Sequence, residues 1–151
     1  MKVNPIKKTK EYFANNYNCA QSVLKAFLEY KGLHFKEAPL VAAGFGGGIS
    51  RRGEICGALS GAIMAIGIIH SQKIKDITDH KSATYESTNL LIKKFLEKHK
   101  TPMCSLLVGV NMQDEQARKK ASDEGVFKKL CPGFLEDTIR ILMEMFPEKS
   151  K

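Results

Sequence analysis

Apolar positions recur at three- and four-residue intervals through most of this chain, and no stretch alternates convincingly with period two. The pattern predicts an all-α fold. A short first helix fits Lys7 to Asn15, closed by the polar run Asn15-Asn16-Tyr17-Asn18. From Cys19 a second helix sets Val23, Phe27 and Tyr30 on one face, with Leu24 and Leu28 beside them, and it stops near Gly32. A third, short helix fits Lys36 to Ala43. The cluster from Gly44 to Gly53 follows and reads as a loop, because that many glycines are too costly inside a helix.

Beyond the loop, Glu54 to His70 is apolar all round, the mark of a helix in the middle of a bundle. Its Gly57, Gly61 and alanines form a ridge low enough for a neighbouring helix or a ligand to come close. Asp79 to Lys100 reads as a long amphipathic helix with Tyr85, Ile92, Phe95, Leu96 and His99 inward, ended by Thr101-Pro102. Shorter helices near Met103 and over Asp114 to Ser122, and an amphipathic one over Pro132 to Phe146, complete the pattern. The expectation is a single helical domain over 1–151, a bundle of about six helices around a buried glycine- and alanine-rich central helix.

Length and composition agree with one domain. At 151 residues, 43% hydrophobic and 26% charged, the chain can bury a core without staples, and disordered, collagen-like and coiled-coil classes are excluded. No secretion signal is visible, and the longest apolar stretch, Ile55 to Ile69, is shorter than the roughly 20 residues of a spanning helix. The expected compartment is therefore the reducing cytoplasm, without a membrane span. Formal charge is +8, but 20 of the 24 basic residues are lysines spread in pairs without interleaved aromatics, so a solvated surface explains them better than nucleic acid.

The four cysteines carry the candidate chemistry. Cys19, Cys56, Cys104 and Cys131 are 37, 48 and 27 residues apart, so no Cys-x-x-Cys pair exists. Each falls at an expected helix start, where free N–H groups and the helix dipole favour a thiolate, the reactive and metal-binding form. The four together would serve either as thiol/disulfide redox pairs or as ligands of zinc or an iron–sulfur cluster. His70 and His99 are the histidines that could supplement them. The glycine loop, with Gly46, Gly47, Gly48, Arg51 and Arg52, together with Gly57 and Gly61, is the candidate site for a small anion, though it matches no standard phosphate fingerprint.

Asn18-Cys19-Ala20-Gln21-Ser22-Val23, Ala43-Gly44-Phe45-Gly46-Gly47-Gly48, Cys56-Gly57-Ala58-Leu59-Ser60-Gly61 and the single cysteines Cys104 and Cys131 resemble the C_GCAxxG_C_C family. The resemblance covers nearly the whole chain. It implies a small redox-active protein built on four characteristic cysteines, of a kind often encoded near transporters. A related domain in split-Soret-type cytochromes implies a scaffold able to sit beside haem or an iron–sulfur cluster. The chain has no Cys-x-x-Cys-His motif for covalent haem. Two functional readings stay open: a redox-active protein, with or without turnover as an oxidoreductase, acting on an unknown redox partner or small molecule; or a non-enzymatic module for a small anion or partner, associated with transport. Small-residue helix faces also suit a homodimer.

Overall fold

Capping side chains start four of the helices in the computed structural model, which describes residues 3–148. Helix α1, Pro5–Ala14, starts where Asn4 accepts hydrogen bonds from the amides of Ile6 and Lys7, with proline in the first turn where its missing N–H costs nothing. Helix α2, Cys19–Tyr30, opens on a reciprocal cap: Asn18 accepts from the Gln21 amide and the Gln21 side chain accepts from the Asn18 amide, each at 2.9 Å. The short α3, Ala38–Val41, leads into a 3-10 turn at Ala43–Phe45.

The glycine segment is neither a flexible loop nor a regular helix. Five consecutive residues, Gly47, Gly48, Ile49, Ser50 and Arg51, have φ between +47° and +67°, a left-handed turn within the Gly46–Ile49 helical segment and just beyond it. Left-handed backbone costs an L-residue about 1–2 kcal/mol, and the β-branched Ile49 is an outlier there. The turn is held by backbone bonds from Ser50 to the Gly44 carbonyl, Gly53 to Gly47 and Glu54 to Gly48.

Helix α4 runs over Gly57–Ser71, three residues shorter at its start than expected. Residues 54–56 are instead extended and pair with 102–104 in an isolated antiparallel bridge, Ile55 opposite Met103. The Cys56 amide donates to the Pro102 carbonyl at 2.8 Å and the Cys104 amide to the Glu54 carbonyl at 2.6 Å. Helix α5, Ile77–His99, is capped by Asp76; α6 is Cys104–Val108; α7, Glu115–Asp123, is capped by Asp114; and α8 is Val126–Met145. Among the described residues these eight helices contain no strand, and none is long and apolar enough to cross a membrane.

The all-α expectation holds, but the helix count and arrangement differ from a six-helix bundle around one centre. The core is shared by α2 and α4, which cross so closely that a Cβ at Gly61 would strike the Ala20 carbonyl. Leu24 and Phe27 of α2 and Leu59 and Ile66 of α4 are fully buried, with Leu91 and Phe95 of α5 and Leu135, Ile139 and Leu142 of α8 closing over them. Helix α4 is buried all round only as far as Ala62; Ile63, Met64, Ile68 and Ile69 are half-buried. In α5 the inward face is turned from the expected one: Tyr85 is 63% exposed, and Ile92 and Leu96 are half-buried beside the fully buried Leu91 and Phe95.

Candidate functional site

All four cysteines line one cavity of about 770 Å3. Four separate parts of the chain deliver them. Cys19 is the first residue of α2, Cys56 is the cap residue of α4, Cys104 is the first residue of α6, and Cys131 lies inside α8. The extended bridge fixes Cys56 and Cys104 on the same side of two paired segments. The glycines are where the walls touch. A Cβ at Gly57 would overlap the Cys19 sulfur, and one at Gly48 would stand 2.6 Å from both the Cys104 Cβ and the Glu54 amide nitrogen.

Cys131 does not start a helix. Helix α8 begins five residues earlier, at Val126, and carries Pro132 in its interior. The chain accommodates the proline inside a helix whose apolar face continues through Phe127, Cys131, Phe134 and Leu135, all of which line the cavity. That i, i+4, i+7, i+8 spacing, running unbroken across the proline, is the signal for the earlier start.

Nor do the helix starts lower the thiol pKa values. Burial pushes all four upward: Cys104 to about 11 and Cys131 to about 12, with neighbouring cysteine sulfurs adding to the cost of a charge, and Cys56 further still. Cys19 is raised too, but it has the fullest set of donors, against the two amides, of Ala58 and Leu59, that reach Cys56. The backbone N–H groups of Gly47, Ala20 and Gly57 point at its sulfur together with its own amide, and these partly offset desolvation. The expected dipole effect is therefore present and is outweighed, because removing a thiolate from water costs more than a helix terminus returns.

The structure divides the expected anion site. Gly46, Gly47, Arg51 and Gly57 line the cavity with the cysteines. Gly48 serves contact with Cys104, Gly61 serves the crossing of α2 and α4, and Arg52 faces solvent in an ion pair with Glu54 at 3.2 Å. Three cavity residues carry no local sequence signal: Met112, Arg118 and Lys119. Arg118 is fixed by donating from Nη1 to the Met112 carbonyl at 2.7 Å. The histidines do not join the thiols. His70 is hydrogen-bonded to Ser87 at 2.8 Å and His99 to Asp137 at 2.8 Å, and neither lines the cavity.

All four cysteines are free thiols. In number and chemistry they match the donors of zinc or an iron–sulfur cluster. As arranged, however, no three of the described histidine, cysteine or acidic side chains converge to hold one metal ion.

Fold and cavity together define an all-helical protein with four thiols on a single cavity. The chain belongs to the family described as "Putative redox-active protein (C_GCAxxG_C_C)", which matches residues 17–145 and so spans all four cysteines. A protein of Archaeoglobus fulgidus described as "Uncharacterized protein" is 30% identical over 114 residues, covering 70% of this chain and 76% of its own. No solved structure matches the chain.

Proposed function

We propose that the protein is a thiol–disulfide redox protein in which Cys19 is the attacking thiol and Cys56, Cys104 and Cys131 are its exchange partners. The observation that carries this reading is the meeting of all four cysteines on one cavity from four distant parts of the chain. Cys19 takes the attacking role because four backbone N–H groups meet its sulfur, against two at Cys56, and these stabilise negative charge as it forms. Oxidising two thiols to a disulfide releases two electrons and two protons, and a disulfide acceptor takes both and becomes two thiols. Four cysteines allow three pairings.

The test is a titration with diamide, which accepts two electrons per molecule, followed by counting free thiols after denaturation. The expected course is loss in pairs, from four to two to none; Cys19→Ser, with three thiols, should lose one pair, from three to one, at least tenfold more slowly. Four unmodified thiols after full treatment would overturn the reading. Metal analysis and a visible spectrum after anaerobic purification test the alternative directly. Stoichiometric iron or zinc would assign the four thiols to a metal centre instead.

A further inference from the structure

The cavity is lined by both apolar and charged side chains. Phe127, Phe134 and Leu107 are among the first, while Arg51, Arg118 and Lys119 bring three cations to the same space. Glu115 and Asp123 also line it, but neither forms an ion pair with those cations among the described residues. Arg51 stands on the left-handed turn, its stem packed over Gly47 beside Met112, and it has no carboxylate partner among the described residues. Arg118 is held by one donor and keeps its other N–H groups available.

We infer that the cavity admits a small disulfide bearing carboxylate groups, with Arg51 and Arg118 as the residues that bind its charge. The inference rests on the thiol–disulfide reading and names its oxidant. The volume is that of a site for a small molecule. Arginine suits carboxylates because its planar donors bind both oxygens at once. The Cys19 thiolate attacks one sulfur of the ligand; the ligand's S–S bond breaks, and the departing thiolate takes up the proton that Cys19 lost. A second cavity thiolate then attacks the Cys19 sulfur in the mixed disulfide and expels the second ligand thiol, which takes up that second proton. The protein ends with one disulfide and the ligand as two thiols, so atoms and electrons balance.

The experiment compares three probes: dithiodiglycolate, which is dianionic; bis(2-hydroxyethyl) disulfide, which is neutral; and cystamine, which is dicationic. Loss of free thiol and mixed-disulfide mass are followed, each rate being normalised to that of a free small thiol. Dithiodiglycolate is expected to react at least tenfold faster than the neutral probe and cystamine slower than both. Arg51→Gln with Arg118→Gln should remove the tenfold preference, read as the ratio of the anionic to the neutral rate within each variant, and Arg51→Lys with Arg118→Lys should retain most of it. Lys81→Gln with Lys93→Gln removes the same charge away from the cavity and should leave the preference intact. Equal normalised rates for the anionic and neutral probes, or equal loss in the lysine control, would overturn the inference while leaving the redox reading in place. If none of the three probes reacts with the folded chain while all react once it is denatured, the redox reading itself fails.

Discussion

At Cys19 two opposed effects meet within a few ångströms. Burial raises the thiol, and backbone N–H groups lower it by less. Cys104 and Cys131 lack such donors and stand at about 11 and about 12. Because the folded pKa exceeds the ordinary value of 9.0, the folded state holds these protons more tightly than the unfolded chain. The associated stability is fully present below about pH 9 and is lost as pH climbs toward 11 and 12. Unfolding by denaturant from pH 7 to 11 is expected to show a midpoint that falls above pH 9 in the parent and falls less in Cys104→Ser. Alkylation of Cys104 by iodoacetamide should still be accelerating above pH 9, where an ordinary thiol levels off. Gly57 supplies a second prediction at this scale. A methyl there overlaps the Cys19 sulfur, so Gly57→Ala is expected to cost about 1–3 kcal/mol in a denaturation curve and to change the Cys19 alkylation rate.

Among the elements, α2 was the most legible in the sequence. Asn18, Gln21 and Gly32 are local signals, and each acts within one turn of itself. The beginning of α4 was hidden because residues 54–56 are extended by pairing with 102–104, a partner almost fifty residues away. Periodicity cannot report such a contact. The start of α8 was misread because Cys131-Pro132 looks like a helix opening, whereas the helix tolerates Pro132 six positions past its first residue. Pro132 has no N–H for the Lys128 carbonyl, a defect worth up to about 3 kcal/mol inside a helix. Pro132→Ala is therefore expected to raise the denaturation midpoint, less whatever is lost by freeing the unfolded chain. The four cysteines stand out in the sequence as the candidate chemistry, from their positions and their family pattern. Their shared cavity does not, and neither does the part played by Arg118, because both depend on how distant helices pack.

For the molecule as a whole, α8 acts as a strap across the other helices. Lys10 of α1 reaches Glu136 at 3.1 Å, and Lys98 and His99 of α5 both reach Asp137, at 2.9 and 2.8 Å. Asp137 and His99 are each only 14% exposed, so this contact is screened less than a surface pair. Asp137→Asn is expected to cost about 1–3 kcal/mol in unfolding experiments. Because Cys131 rides on the same helix, the substitution should also speed its alkylation in the folded protein. If stability fell with Cys131 no more reactive, the Asp137 contact would stabilise the fold without controlling access to Cys131.

The placing of Cys131 on α8 has a consequence for biosynthesis. Chains leave the ribosome at about 5–20 residues per second and begin folding from the front. Cys19, Cys56 and Cys104 all emerge before the segment that roofs them, and α2 and α4 can already be pairing while that roof is missing. For those seconds the nascent chain presents three thiols to its surroundings with the ordinary reactivity of unburied cysteine. The redox state of those surroundings, rather than the finished cavity, then decides whether the chain reaches its native state reduced.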